Sequence, residues 1–373
     1  MSSNKLSVTS GNVTMPSNNA YNLGTGAFSL LALVKPTGTG TIVSRKSTAG
    51  GIGNGGWLLV IENNNVLKFA TDDGTGYYQI KATASNLHDG YWHAIAAVRD
   101  ASGTLSLYVD GYLLTSTVGT NRFTSLNINN SIELMVAGTS QAQEPCNQYS
   151  GDIMNVSLWN SALTQVQVID AMVNPVNGGS TIGCWTFDGN YSDSSPTGNN
   201  GTANGSAIKT TGLYMTMPFM MQRQSQTNWC WAADSTSVSI FYNPLSTWTQ
   251  CTVVNATLNR TDCCTNPSSS SCNIYGYLNR ALTTTGNYVS SSGVTSFSDC
   301  KTQMNTWRVL GTRTKWAGGG AHFVVISGIS DPSGTETVTI RDSIYGTSTI
   351  PYTTFVSNYK GSGTWTHSYF TKP

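Results

Sequence analysis

The first half of the chain alternates short apolar runs with clusters of turn-forming residues. The run at residues 28–34 is apolar at nearly every position and is followed by Pro36, which is typical of a buried strand. Asp110-Gly111 lies between two apolar runs, which is the strongest short signal for a β-hairpin. Similar paired runs lie at residues 57–61 and 66–70 and at residues 105–109 and 112–115. The pattern predicts an all-β jelly-roll sandwich with one short helix at 161–172.

The pattern changes after about residue 217, where helical spacing comes first and strands follow. Residues 231–242 form a predicted helix that ends at Asn243-Pro244, and residues 273–282 carry apolar side chains at helical spacing. Later apolar runs predict strands at residues 322–329, 338–341 and 365–369, the first two joined as a hairpin by a turn at 331–334. Helices followed by antiparallel strands predict an α+β domain.

Length and composition agree with two folded domains. The chain has 373 residues, of which 39% are hydrophobic and only 10% are charged, with a formal net charge of +1. Domains usually have roughly 100–200 residues, and disordered chains combine low hydrophobicity with high net charge. We therefore predict a sandwich at residues 1–208, a linker at 209–216 and an α+β domain at 217–373.

Charge and composition also exclude classes of partner. The chain lacks a cluster of Lys and Arg that would attract nucleic acid, and its apolar runs are too short to cross a bilayer. Eight cysteines in a chain rich in Ser, Thr, Asn and Gly favour an oxidising setting, although no signal peptide is visible in the sequence. We expect a secreted protein with no nucleic-acid partner and no membrane span.

Four motifs of the first half resemble the concanavalin-like, laminin-G-type lectin sandwich. They are Phe-Ser-Leu-x-Ala-x-Val-x-Pro from Phe28, Gly-Tyr-Trp-His from Gly90, Leu-Tyr-Val-Asp-Gly from Leu107 and Cys-Trp-Thr-Phe-Asp from Cys184. Such domains typically bind glycans or proteins, sometimes through calcium, so the resemblance implies a glycan or cell-surface ligand. A spacer or inhibitory domain is the alternative. Asp72-Asp73-Gly74 does not match a calcium loop and is predicted to be a turn.

In the second half, the segment Gln-Ser-Gln-Thr-Asn-Trp-Cys-Trp-Ala-Ala at residues 224–233 places Cys230 at the start of a predicted helix. Free N–H groups and the dipole at a helix N-terminus favour a negative charge, and therefore the reactive thiolate. A thiolate nucleophile needs an acid–base partner, which is most often histidine. Cys230 is the predicted nucleophile.

His322 is the predicted base. The chain has four histidines, and His88 and His93 belong to the sandwich. His322 opens a strand one residue after Gly318-Gly-Gly320, so that its ring can lie at the mouth of the strand, whereas His367 lies within a terminal strand.

A third group should orient the imidazole. Asp342 ends the strand after that of His322, and a hairpin would return it beside the histidine. Asp331 is the rival, but Asp-Pro-Ser-Gly is a turn sequence that places this carboxylate at the far tip of the hairpin. Asp342 is therefore the predicted orienting group.

A glutamine before the helix is the predicted oxyanion donor. Gln224 lies six residues before Cys230, and its side-chain amide can donate beside the Cys230 backbone N–H. Gln222 and Gln226 remain alternatives, because the sequence does not set the register of this loop.

Three motifs of the second half resemble papain-like cysteine proteases, most closely the compact bacterial effector-type and bacteriocin-processing relatives. They are Gln-x5-Cys-Trp-Ala-Ala from Gln224, Ala-His-Phe-Val-Val-Ile from Ala321 and Arg-Asp-Ser-Ile-Tyr-Gly from Arg341. The resemblance implies Cys230 as nucleophile, His322 as base, Asp342 as orienting group and Gln224 as oxyanion donor. Papain-type enzymes usually carry Asn where Asp342 stands, but the compact relatives tolerate Asp.

We therefore expect a secreted cysteine peptidase, directed to its protein or peptide substrate by a lectin-like module, with no cofactor and no catalytic metal. Deamidation and transglutamination use the same constellation and are alternatives. A binding protein whose papain-like domain is catalytically dead is an alternative from another class. A third possibility is that the sandwich masks the active site until the linker is cut.

The remaining cysteines favour disulfides over zinc. Adjacent Cys263 and Cys264 rarely bond to each other, so each should pair elsewhere, and the odd number in the second half leaves at least one thiol free. A zinc site at residues 251, 263, 264 and 272 lacks a Cys-x2-Cys pair or a nearby histidine. In the sandwich, Cys146–Cys184 is the predicted disulfide.

Overall fold

The computed structural model divides the chain into two compact units, residues 2–211 and residues 212–373. It describes all residues except 1–4, 47–54, 85–86, 120–124, 140–147, 174, 177–179, 188, 206–207, 211–213 and 332–333. The division lies inside the linker predicted at 209–216, whose described residues include strand segments of both units. No helix in the described part of the chain is long and apolar enough to cross a membrane.

The first unit is a β-sandwich of two antiparallel sheets, each with eight strands among the described residues. The strands are β1 (Lys5–Val8), β2 (Gly11–Met15), β3 (Phe28–Pro36), β4 (Gly40–Lys46), β5 (Gly56–Glu62), β6 (Val66–Asp72), β7 (Tyr77–Thr83), β8 (His93–Arg99), β9 (Leu105–Val109), β10 (Tyr112–Leu113), β11 (Thr117–Val118), β12 (Leu134–Val136), β13 (Gly151–Trp159), β14 (Thr181–Trp185), β15 (Thr202–Gly205) and β16 (Ile208–Thr210). One sheet has the order β10-β9-β8-β3-β13-β1-β16, with β14 also paired to β13, and the other has the order β11-β7-β6-β5-β4-β12-β2-β15. Helix α1 (Gln165–Val173) and 3₁₀ turns at Asn19–Tyr21 and Asn63–Asn65 complete the unit.

The core of this unit lies between the two sheets. In β3, Leu30, Ala32 and Val34 enter the core while the residues between them face the other way, as expected for a side-chain period of two. Burying aliphatic side chains of this size contributes roughly 1.5–3 kcal/mol each. The predicted jelly-roll sandwich is confirmed, and so are the predicted hairpins β5–β6 and β9–β10. The predicted helix at 161–172 begins later, at Gln165.

Asp72, Asp73 and Gly74 form the predicted turn. The Asp72 carboxylate accepts a hydrogen bond from the Gly74 backbone N–H (2.6 Å), and Asp73 accepts one from the Gly76 N–H (2.6 Å). Asp72 also forms a fully buried ion pair with Lys46. Its carboxylate is therefore already neutralised by a protein cation.

The second unit combines an antiparallel sheet with helices packed against it. Its described strands are β17 (Tyr214–Thr216), β18 (Tyr288–Ser292), β19 (Leu310–Trp316), β20 (Ala321–Ser330), β21 (Thr337–Asp342), β22 (Gly346–Pro351) and β23 (Gly363–Thr371), and its helices are α2 (Cys230–Tyr242), α3 (Gln250–Leu258), α4 (Leu278–Thr285), α5 (Phe297–Asn305) and α6 (Tyr352–Asn358). The sheet order is β18-β23-β19-β20-β21-β22, with β17 also paired to β20. Helix α2 packs against α3, α4 and β20, an interior strand of the sheet.

The α+β prediction is confirmed, with differences at particular elements. Helix α2 ends at Tyr242, before Asn243-Pro244, as predicted. The helix predicted at 273–282 begins only at Leu278, because the Ile274 backbone carbonyl accepts a hydrogen bond from a tryptophan of α2 rather than from a helical N–H. Helices α3 and α5 were not predicted, since both have only nine residues; they begin at Thr249 and Ser296 side-chain caps.

Candidate active site

Cys230 is the first residue of helix α2, as the sequence predicted. Its side chain is only 7% exposed and lines a cavity of about 350 Å³. The first N–H groups of a helix have no intrahelical acceptor, so a negative charge on this sulfur would lie in a favourable field. The position suits a thiolate.

His322 is the second residue of β20 and connects Cys230 to Asp342. Its Nε2 lies 2.9 Å from Asp342 Oδ1, and the ring also interacts with Cys230. Burial alone would lower the pKa of the imidazole, but its interactions with Asp342 and Cys230 outweigh burial and raise this pKa to about 10. The ring is therefore an imidazolium at neutral pH, and it interacts with both the Cys230 sulfur and the Asp342 carboxylate.

Asp342 ends β21, which pairs antiparallel with β20, so the hairpin returns the carboxylate to His322. Oδ1 also accepts the backbone N–H groups of Ile344 (2.7 Å) and Tyr345 (2.9 Å), and Oδ2 accepts the Tyr359 hydroxyl (2.8 Å). Burial would raise the pKa of this carboxyl, but the hydrogen bond to His322 and the other donors lower it overall. Asp342 is thus held ionised and fixed in orientation.

Aromatic rings enclose the imidazole. Trp316 stacks on His322 with an interplanar angle of 18° and a centroid distance of 6.3 Å, and Tyr345 meets the ring edge-on at 84°. Trp316 also stacks on Tyr359, the residue that donates to Asp342. The aromatic contacts exclude water from the His322–Asp342 pair, which strengthens the interaction between their charges.

The structure places the rival residues elsewhere. Asp331 follows the last residue of β20, a strand of 10 residues that has His322 near its other end. His367 is exposed on β23, where its Nδ1 lies 3.0 Å from the Thr366 hydroxyl. Neither residue joins the group formed by Cys230, His322 and Asp342.

Gln224 lies beside the carboxylate end of this group. Its Oε1 accepts the Ser343 hydroxyl (3.1 Å) and its backbone N–H donates to the Ser343 carbonyl (3.2 Å). Its side-chain N–H groups donate to the carbonyls of Gln226 (2.9 Å) and Thr227 (2.8 Å). Of the alternatives, Gln222 contacts helix α3 instead. An oxyanion would therefore have to replace one of these loop carbonyls as the acceptor from Gln224.

The loop at residues 272–277 forms a wall beside Cys230. The indole N–H of Trp229 donates to the Cys272 carbonyl (2.8 Å), and that of Trp231 donates to the Ile274 carbonyl (3.2 Å). A Cβ at Gly276 would lie 2.3 Å from a ring atom of Trp231, so only glycine allows this close approach. The two tryptophans that flank the cysteine therefore fix the wall of the cleft.

Two disulfides hold the same region. They are Cys251–Cys264 and Cys263–Cys272, so the prediction that Cys263 and Cys264 pair elsewhere is confirmed. Asp262 lies near the Cys263 and Cys272 sulfurs in a grouping that resembles a metal site, but both sulfurs are in the disulfide. The cysteines considered for zinc are thus cross-linked to each other.

The remaining described cysteines are free. Cys300 is free, which agrees with the prediction of at least one unpaired thiol among the remaining cysteines of the second unit. The predicted Cys146–Cys184 disulfide is wrong, because Cys184 is a free thiol buried on β14 beside Ser157; Cys146 lies outside the described residues. Burial raises the pKa of Cys184 to about 11 and that of Cys300 to about 12.

Asp234 is a buried acid that the sequence analysis did not single out. It lies one helical turn after Cys230, is 0% exposed, and neither of its carboxyl oxygens has a hydrogen-bond partner in the structure. Burial, opposed by the His322 charge and reinforced by Asp342, raises its pKa well above the usual value. The sequence offers one clue to this acid, which is that Asp234 is the one charged residue of helix α2.

Comparison with known proteins adds a family to each unit. Residues 7–169 match the model of the concanavalin A-like lectin/glucanases superfamily, and residues 211–360 match that of the papain-like cysteine protease AvrRpt2. No curated protein matches the sequence.

Three solved structures illustrate what this chain is similar to. A putative carbohydrate-binding protein from Bacteroides ovatus is 16% identical (TM-score 0.43), covering 56% of this chain and 60% of that one, so the chain spans less than two thirds of its length. A heptameric SAP-like pentraxin from Limulus polyphemus is 15% identical (TM-score 0.39; 56% and 95% covered). The CBM40 of a Ruminococcus gnavus IT-sialidase bound to α2,3-sialyllactose is 15% identical (TM-score 0.36; 44% and 95% covered). The chain thus carries a concanavalin-like, laminin-G-type domain, followed by a papain-like cysteine protease domain of the AvrRpt2 family.

Proposed function

We propose that this protein hydrolyses peptide bonds through Cys230, His322 and Asp342. The observation that carries the proposal is the position of His322, which lies 2.9 Å from a buried carboxylate, Asp342, and interacts with Cys230 at a helix N-terminus. The protease family of the second unit supports the same reaction class. No other histidine in the described residues of this unit has such partners.

The reaction begins with the Cys230 thiolate, which the neighbouring imidazolium stabilises. The sulfur attacks the carbonyl carbon of the scissile peptide bond, and the carbonyl π electrons move to oxygen. His322 gives its proton to the leaving amine as the C–N bond breaks, which leaves a thioester on Cys230. His322, now neutral, takes a proton from water; the resulting hydroxide attacks the thioester, and the acid product leaves with the thiolate restored.

The oxyanion of each tetrahedral intermediate lies near the start of helix α2. The Cys230 backbone N–H is one donor and the Gln224 amide is the other in our proposal. Gln224 is held through Ser343, the residue after Asp342, so the same short segment positions the orienting carboxylate and the oxyanion donor. Asp342 keeps the imidazole in the orientation that both proton transfers require.

The first unit, in this proposal, binds a glycan or cell-surface ligand and directs the peptidase to its substrate outside the cell. Its concanavalin-like family supports a binding role. The two disulfides of the second unit support an oxidising compartment, because such bonds persist mainly in extracellular and periplasmic proteins. A glycan array probed with the full-length Cys230→Ala variant tests the binding role without proteolysis; binding to no glycan would limit this role to a protein ligand.

Labelling with an epoxide inhibitor of papain-like enzymes, read by intact mass, tests the catalytic proposal. We expect one adduct on the wild type and on Cys300→Ala, and none on Cys230→Ala. Cys300 is a suitable control because its thiol is buried, with a pKa raised to about 12. An adduct that persists in Cys230→Ala, or full hydrolysis of casein by that variant, would contradict the proposal.

A further inference from the structure

The cavity beside Cys230 has an apolar floor and an aromatic rim. Trp231 and Phe323 are buried at its base. Tyr275 and Tyr277, which are 77% and 62% exposed, stand at its edge. With a volume of about 350 Å³ the cavity has room for one or two substrate side chains, directly beside the proposed nucleophile.

Two cations line the side of this cavity. Arg313 and Lys315 are separated by one residue on β19, so their side chains leave the same face of the sheet. They pair in register with Phe323 and Ala321, which also line the cavity. Because directly opposite residues share a face, the strand pairing itself aims both cations toward the cavity.

Neither cation is neutralised by an acid in the described part of the chain. The Arg313 Nη1 donates to the Thr366 hydroxyl at 3.0 Å, a neutral partner. The ion pairs of this unit instead join Arg260 to Asp262 and His322 to Asp342. The carboxylate nearest the reaction, Asp342, is thus already committed to the imidazole, and the two cations remain available to a ligand.

We propose that the basic cleft formed by Arg313 and Lys315 selects substrates that carry an aspartate or glutamate close to the scissile bond. The inference rests on the proposed peptidase function. A substrate carboxylate would gain a bidentate partner in the Arg313 guanidinium and a second charge in Lys315. The apolar floor would meanwhile accept a neighbouring hydrophobic side chain. Arg313 and Lys315 are then specificity-determining residues that take no part in bond breaking.

The test uses the full chain and paired peptide libraries. The two mixed-sequence libraries differ at one position, which is glutamate in one library and glutamine in the other. Cleavage is read by mass spectrometry. We expect kcat/KM to be about fivefold higher for glutamate peptides, the effect of one partly exposed charge pair. The preference should fall as salt rises from roughly 0.05 M to roughly 0.5 M, because exposed charges are screened.

Variants assign the preference to the basic cleft. Arg313→Gln/Lys315→Gln should cleave glutamate and glutamine peptides at equal rates. Lys372→Gln is the matched control: it removes an exposed cation that does not line the cavity, and should keep the preference.

The outcomes separate this inference from the proposed function. Equal cleavage of both libraries by the wild type, or a preference that survives in the double variant, would overturn the inference while the peptidase stands. An epoxide adduct at Cys230 without cleavage of either library would also overturn it. Absence of both cleavage and adduct would overturn the proposed function and this inference together.

Discussion

Each unit buries a histidine against a carboxylate, and the two sites differ in the second partner of the ring. In the sandwich, His93 Nδ1 lies 2.8 Å from Asp110 and Nε2 lies 3.2 Å from Asp89. In the second unit, His322 Nε2 faces Asp342, and the ring also contacts Cys230. Burial by itself would lower the pKa of each imidazole. The charged partners outweigh burial, so the pKa of each is raised overall.

The difference shows why a perturbed histidine alone does not mark an active site. Both ring nitrogens of His93 are hydrogen-bonded to carboxylates, which retain the ring protons. The charge of this histidine therefore stabilises the end of a β-hairpin. His322 has one ring nitrogen on Asp342, and its other charged partner is the cysteine that we propose as nucleophile. General acid–base catalysis requires this asymmetry, with one partner that orients the ring and another that exchanges a proton with it.

Replacing each histidine separates the two roles with the largest effect that we expect. His322→Ala should lower kcat/KM about 1,000-fold or more, because general acid–base transfer and thiolate formation are both lost. His93→Gln should leave kcat/KM within about twofold and lower the thermal stability of the sandwich. Peptide hydrolysis and calorimetry measure the two effects. Equal losses of activity in the two variants would break the comparison.

Asp342→Asn tests the carboxylate half of the site through the pH profile. The folded His322 has a pKa raised to about 10, so the imidazolium and the activity that depends on it should persist into alkaline solution and be lost as pH rises through that value. Removing the Asp342 charge removes one of the interactions that raise this pKa against burial, and therefore lowers the pKa. We expect a roughly 10- to 100-fold lower kcat and an alkaline limb shifted to lower pH. An unshifted alkaline limb would show that Asp342 does not set the charge of the imidazole.

The two disulfides allow a comparison within the second unit. The Cys263–Cys272 bridge fixes Cys272, whose backbone carbonyl accepts the indole N–H of Trp229, the residue before Cys230. The Cys251–Cys264 bridge instead joins helix α3 to the segment that follows it. Removing either bridge should cost roughly 2–3 kcal/mol of stability. Cys263→Ser/Cys272→Ser should also lower kcat/KM about tenfold, while Cys251→Ser/Cys264→Ser should change it less than twofold. Hydrolysis assays well below both unfolding temperatures distinguish the pairs.

Much of the candidate site follows from local sequence rules. A helix that ends at Asn243-Pro244 and begins at Cys230 places the thiol at an N-terminus, and a hairpin between two apolar runs returns Asp342 to His322. These inferences use only short-range geometry, and the structure reproduces them. The sandwich follows in the same way from strand length and turn residues.

Other parts depend on contacts between distant segments. Residues 273–282 have a helical apolar spacing, but the carbonyls of Cys272 and Ile274 accept hydrogen bonds from Trp229 and Trp231, and the helix begins only at Leu278. The placement of Arg313 and Lys315 requires the register between β19 and β20, and β19 itself is too polar to stand out as a strand. Cys184 is free because its environment is the buried face of a sheet, which spacing alone does not reveal.

The smallest expected effect concerns two fully buried acids, one in each unit. Asp72 of the sandwich is paired with Lys46, whereas the Asp234 carboxyl has no hydrogen-bond partner in the structure. A folded-state pKa raised above the usual 3.8 means that the folded protein holds this proton more tightly than the unfolded chain. The resulting stability is present below about pH 4 and is lost as pH rises toward the folded pKa.

Asp234→Asn removes this titration and keeps the size of the side chain. The variant should therefore be more stable than the wild type at pH 7, by about 2–4 °C in unfolding temperature, and the difference should shrink toward zero near pH 4. Asp72→Asn should do the opposite at pH 7, since it leaves the Lys46 charge buried without its partner. Calorimetry of both variants across this pH range measures the effect. If the difference in unfolding temperature between Asp234→Asn and the wild type did not change with pH, the folded protein would hold the charged acid as well as the neutral acid. The contrast between the two buried acids would then be lost.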